Sequence, residues 1–158
     1  MGQYMNDNSL NMSGYSIEEI YVGMTKSVSK TISESDVYTF AGLVGDINPV
    51  HVNEEFAKGT RFGGRISHGM LTASLFSTLI GMCLPGAGGI YLGQMLKFVK
   101  PVYIGDTITA VGEVTHVVPE KKIAYVNTTA VNQNGETVIE GEATIMATKE
   151  TATGGKTQ

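Results

Sequence analysis

The chain has one cysteine, Cys83, among 158 residues, no tryptophan and only four prolines. A lone cysteine excludes an intrachain disulfide and points to a reducing, cytoplasmic setting. Charged residues make up 16% of the chain, the formal net charge is −4, and no basic block occurs. Nucleic acid is therefore not the expected partner, although a local basic spot still suits a phosphate. The N-terminal run "MGQYMNDNSLNMSGYS" has no positive start followed by an apolar core, so it does not read as a secretory signal. Long hydrophobic runs are missing too. The most apolar stretch, "GMLTASLFSTLIGMCL", is interrupted by Thr72, Ser74, Ser77 and Thr78. It also falls short of the ~20 residues of a membrane span, and a buried helix is the better reading.

What is present suits one globular domain, with 42% hydrophobic residues. Residues 1–14 and 149–158 are polar and are expected as loose ends around a domain of residues 15–148. "TKSVSKTIS" suits a first strand. "SESDVYTFAGLVG" opens with Ser33 and has Asp36 three positions on, the start of a capped helix. "NEEFAKG" suits one or two helical turns closed by Gly59, and a helix from Gly69 to Leu84 should stop at Pro85-Gly86. The rest reads as strands: "GIYLGQMLKFVKPVYI", "DTITAVGEVTHVV", "KIAYVNTTAVNQ" and "TVIEGEATIMAT". Asn134-Gly135 predicts a hairpin between the last two, and Pro101 a strand break or sheet edge. A long buried helix followed by antiparallel strands is an α+β pattern. Along that helix Gly69, Ala73, Ser77 and Gly81 form a four-residue ridge of small side chains, open to close approach by a sheet or a slender ligand.

The segment "GDINPVH", Gly45 to His51, carries the candidate chemistry. Pro49 pushes Asn48 towards extended geometry, so a regular helix is not expected here and a turn must decide whether Asp46 and His51 converge. A neutral imidazole accepts a proton, and an ionised carboxylate accepts hydrogen bonds from water. Aimed together at one water, they make it a better nucleophile. The same residues equally suit an Asx-type turn beside a surface histidine, and spacing alone leaves both readings open. Other patterns fail. "RISHG" is not G-x-S-x-G, because Arg65 holds the first glycine place. "GGKT" and "GAGGIY" fall short of the phosphate-loop and dinucleotide patterns, with Glu150 and Tyr91 where glycines belong. Asp46, His51 and His68 are a conceivable carboxylate-and-two-imidazole metal set, though nothing in the spacing demands one. His68 otherwise suits a capping or supporting role at the helix start, and His116 a structural place in a strand.

The run "FAGLVGDINPVHVNEEFA", Phe40 to Ala57, resembles the signature of the MaoC-like, R-specific enoyl-CoA hydratase (hydratase 2) family. That signature is an aromatic, a short apolar spacer, Gly-Asp-x-Asn-Pro-x-His, then a small residue. Phe40, Gly45, Asp46, Asn48, Pro49, His51 and Ala57 fit it, while Val44 departs from the small or hydroxyl residue usual there. "SHGML" and "IYLGQMLKFVKPVYIGD" are similar to the small bacterial members that feed polyester synthesis. The resemblance implies a hot-dog fold, a long central helix wrapped by an antiparallel sheet, assembled as a homodimer or a dimer-based oligomer. It implies reversible hydration of a trans-2-enoyl-CoA, with no metal or other cofactor. Asp46 and His51 would activate the water, and the Gly69 N–H would bind the thioester oxygen. Asn48 would shape the loop or help orient the ligand, and Ser77 would line the acyl channel. Arg61, Arg65, Lys97 and Lys100 are charged candidates for the coenzyme's phosphates, although solubilising charge is the simpler role for each. A carrier-protein dehydratase, a hot-dog thioesterase and a non-catalytic acyl-thioester binder are the alternatives. Loss of the conjugated double bond, against release of free thiol, separates hydration from thioester cleavage.

Overall fold

The computed structural model describes residues 10–150. Five strands form one antiparallel sheet: β1 (Thr25–Thr31), β2 (Ile90–Phe98), β3 (Thr107–Val118), β4 (Ile123–Val131) and β5 (Thr137–Met146). Their order across the sheet is β1-β3-β4-β5-β2, so β1 and β2 are the edges. Strict alternation makes the inner face: in β4, Ala124, Val126, Thr128 and Ala130 are buried while Asn127 is exposed. The β4–β5 connection turns where Asn134-Gly135 predicts it. Gly135 has φ 76°, a left-handed angle favouring glycine, and its N–H bonds the Asn132 carbonyl at 3.0 Å. Pro101 lies just beyond the end of β2, where a missing N–H disturbs no ladder.

Helix α1 (Glu34–Val44) starts as its sequence dictates. The Asp36 N–H donates to Ser33 Oγ at 3.1 Å and the Ser33 N–H to Asp36 Oδ2 at 2.8 Å. It ends on Gly45, at φ 79°. Two short helices follow, α2 (Pro49–Val52) and α3 (Glu54–Lys58).

The single helix expected over residues 69–84 is instead two, α4 (Gly69–Ala73) and α5 (Leu75–Met82). Ser74 makes the break. Its hydroxyl donates to the Leu71 carbonyl at 2.6 Å, and the Ser77 N–H bonds the Ser74 carbonyl at 2.9 Å, so the turn tightens to three-residue spacing. Phe76, Leu79 and Ile80 of α5 are buried in the core formed with the inner face of the sheet. The small-residue ridge does not face that sheet throughout, since Ala73 is buried but Ser77 and Gly81 are exposed. Close approach comes from the sheet side: a Cβ on Gly112 of β3 would lie 2.9 Å from Leu79 Cδ2.

Part of the N-terminal segment expected to be loose is tied down. The Asn11 N–H bonds the Met82 carbonyl at 2.7 Å and the Tyr15 N–H the Pro85 carbonyl at 2.7 Å. Ser16 pairs with Lys149 in a parallel bridge, so both ends of the described chain meet there. The remainder of the two expected tails, residues 1–9 and 151–158, lies outside the described residues.

Candidate active site

Gly45 turns the chain out of α1, and two side chains then fold the next four residues. Asp46 Oδ1 accepts from the Asn48 N–H at 3.2 Å, and Asn48 Oδ1 accepts from the Val50 N–H at 3.2 Å. The second bond caps α2. Pro49 sits at the first helical position, where its missing N–H costs nothing and its fixed φ suits the helix. A turn of helix thus forms in the segment whose Asn-Pro step argues against one. It carries His51 inward to 8% exposure.

His51 Nδ1 lies 2.8 Å from the Ile66 carbonyl. A carbonyl only accepts, so Nδ1 bears the hydrogen and Nε2 keeps its lone pair. Burial pushes the His51 pKa below its usual 6.5, outweighing the Ile66 bond that raises it. The neighbouring His68 lowers it further and Asp46 raises it. The imidazole is therefore neutral near pH 7, as a proton acceptor must be.

Asp46 is exposed and His51 is buried, yet they meet. One ligand atom each from Asp46, His51 and His68 falls within 4.8 Å of the others. The His51 and His68 rings stack with centroids 3.8 Å apart and planes 29° from parallel. That stacking works against a shared metal ion. Imidazole lone pairs lie in the ring plane, and two such nearly parallel planes do not meet at a point about 2 Å from both nitrogens.

The pair opens on a cavity of about 620 Å³. Phe40, Val44, Phe62, Ile66, Phe98, Val102 and Ile139 give it an apolar wall, with Asp46, His51, Ser67, His68 and Thr72 as polar points. Gly69 opens α4 on this wall, and its first-turn N–H has no acceptor among the described residues. A Cβ there would lie 2.7 Å from Phe98 Cε1.

Not every residue singled out in the sequence reaches the cavity. Asn48 caps α2 and is not part of the wall, and Ser77 stands exposed on α5 away from it. Arg65 joins α1 and α3, with Nη2 bonded to Glu34, Nε to Glu54 at 3.2 Å and Nη1 to the Tyr38 hydroxyl at 2.8 Å. Lys97 and Lys100 face Glu140 at 3.8 Å and Glu136 at 2.6 Å. Arg61 lies over the Phe62 ring at 5.0 Å and, with Lys100, lines the cavity from an exposed position. Sequence reasoning missed the Ile66 carbonyl and Phe98. A backbone oxygen carries no sequence signal, and one phenylalanine in an apolar strand carries hardly any.

Comparisons with known proteins identify the family and the fold. The family model described as "MaoC like domain" matches residues 19–138. The chain is 55% identical over 129 residues to the (R)-specific enoyl-CoA hydratase of Rhodospirillum rubrum, covering 82% of this chain and 89% of that protein. Among solved structures, the R-hydratase PhaJ1 of Pseudomonas aeruginosa superposes with TM-score 0.83 at 42% identity, over 87% of this chain and 88% of that one. The (R)-hydratase of Aeromonas caviae involved in PHA biosynthesis gives 0.80 at 44%, over 82% and 98%. The architecture they share, an antiparallel sheet wrapped around a helix, is the hot-dog fold. Matched over most of its length in sequence and in backbone, the chain belongs to the MaoC-like family.

Proposed function

We propose that the protein is an (R)-specific enoyl-CoA hydratase, adding water reversibly to a trans-2-enoyl-CoA to give the (R)-3-hydroxyacyl-CoA. One observation carries the reading: a carboxylate and a neutral imidazole converge at the wall of an apolar cavity large enough for an acyl thioester. The similarity to proteins named enoyl-CoA hydratases supports coenzyme A as the carrier.

One water hydrogen is held by the His51 Nε2 lone pair and the other by Asp46 Oδ2, since Oδ1 serves the turn. The water oxygen bonds to C3 as the C2–C3 π pair shifts towards the thioester. The Asp46–His51 pair takes the water proton and returns one to C2 on the same face, so the net change is one added water. Negative charge passing onto the thioester oxygen needs a fixed donor, and the Gly69 N–H supplies it. Loss of a comparable donor costs about 2.7–4 kcal/mol of barrier.

The working unit is a homodimer in the cytoplasm. β2 is an edge strand with Ile90, Leu92, Met95 and Phe98 between 45% and 71% exposed, the kind of edge that needs covering. A second copy of β2 would cover it and join the two sheets. No helix among the described residues is long and apolar enough to cross a membrane.

The test is to mix purified protein with a short trans-2-enoyl-CoA, follow the enoyl absorbance, and resolve the product on a chiral phase. Loss of the double bond with an R product is expected. Free thiol without that loss would make the protein a thioesterase, and an unchanged substrate a binder.

A further inference from the structure

Among the polar groups of the cavity wall that the hydration chemistry leaves without a task, His68 stands against both reacting residues. His68 is 2% exposed, and its Nδ1 is buried with no partner among the described residues. It precedes α4, yet its side chain makes no cap bond to that helix. It turns the other way. Its Nε2–H donates to the Asp46 carbonyl at 2.9 Å, its ring stacks on His51 at 3.8 Å, and Phe40 leans against it at 5.0 Å.

The backbone around His68 grips the same segment. The Ile66 carbonyl takes the His51 Nδ1–H, and the Ile66 N–H bonds the Val50 carbonyl at 3.1 Å. The Ser67 N–H anchors the strip to the Val102 carbonyl at 2.7 Å. Residues 66–68 therefore hold both ends of the stretch from Asp46 to His51.

We infer that His68 is a positioning residue: its ring fixes the plane of His51, its Nε2–H fixes the backbone of Asp46, and together these set the gap that holds the water. The inference rests on the proposed hydration chemistry. An imidazole suits the task because it joins a flat face to a donor at its far edge. Phenylalanine keeps only the face, and glutamine only the donor.

The variants that separate these functions are His68→Phe and His68→Gln, each with two readouts. The first is the pH dependence of kcat and KM with a four-carbon trans-2-enoyl-CoA. The second is imidazole nitrogen NMR of ligand-free protein, which reports the tautomer and titration midpoint of His51 without turnover. Each variant should lower kcat by about tenfold to a hundredfold, the scale of a misplaced reacting group, with KM within about threefold. Asp46 and His68 are the titratable groups facing His51, and His68 works against its charging, so the His51 midpoint should rise in both variants. A folded variant with kcat within about threefold of wild type overturns the inference. So does a loss of kcat with the His51 signals unmoved, because a general structural defect would do the same. If His68→Phe does not fold, His68→Gln decides alone. Should the wild type fail to hydrate the thioester, the functional reading falls, while the NMR readout still judges whether His68 positions His51.

Discussion

His51 is the residue on which burial and chemistry meet. Its pKa is depressed chiefly because burial disfavours the charged ring, which keeps Nε2 free at neutral pH. The acid limb of kcat/KM should therefore have its midpoint below 6.5, the ordinary imidazole value. A midpoint at or above 7 in a pH–rate profile would contradict the burial account. Stability follows with a definite sign. As pH falls through the ordinary value of 6.5, the unfolded chain binds the proton first, so His51 removes stability from there down to its lower folded pKa. Above that window it removes none. Denaturant melts of wild type and His51→Gln should converge as pH falls through it. Gly69 makes a second residue-scale case. A methyl group there would press on Phe98, and overpacking of this kind costs about 1–3 kcal/mol. The clash is with ring atoms of a side chain and not with backbone, so Gly69→Ala should fold but lose kcat/KM, and Gly69→Ala/Phe98→Ala should regain part of it. Steady-state kinetics on the two proteins decides this, and no recovery in the double variant would mean the clash is not the cause.

At the scale of elements, the site depends on a helix of four residues, far too short to stand alone. α2 is held by the Asn48 cap, by Pro49 at its first position and by the Ile66 contacts. Asn48→Ala should cost about 1 kcal/mol in a denaturant melt, the usual scale for a lost cap. It should also lower kcat, because His51 rides on that turn. Wild-type kcat with reduced stability would show that the cap acts on folding alone. This element also shows what was legible beforehand. The capping box of α1 and the Asn134-Gly135 hairpin are local, so residue identity alone announces them. Whether Asp46 and His51 converge was not, because a carbonyl contributed by Ile66 from outside the loop orients the imidazole. Spacing left a plain Asx turn and a reactive pair as alternatives. The structure contains the Asx turn and the convergence together, both served by the same Asp46 carboxylate. The break at Ser74 was hidden for a related reason, since a hydroxyl reaching back to Leu71 looks in sequence like any helical serine.

For the molecule as a whole, the two sheet edges differ. β1, "TKSVSKT", carries lysines, serines and threonines, the usual guard against edge pairing, whereas β2, "IYLGQMLKF", presents apolar side chains. Sedimentation should give a dimer, and Met95→Lys, placing a charge on a side chain 71% exposed in the monomer, should shift it towards monomer. A dimer unmoved by that change would place the interface elsewhere. The hot-dog architecture was legible from the order of helix and strands together with the family signature. Sheet order was not, because pairing β2 at the far edge beside β5 is a long-range choice no local pattern records. The claim beneath all of this is that one water is activated jointly by Asp46 and His51. Its most direct test is the single-turnover hydration rate of folded Asp46→Asn and His51→Ala with a short enoyl-CoA. Each should be slower than wild type by at least about 10²-fold, the lower end of general acid–base effects, and near-normal hydration by either variant would contradict the account.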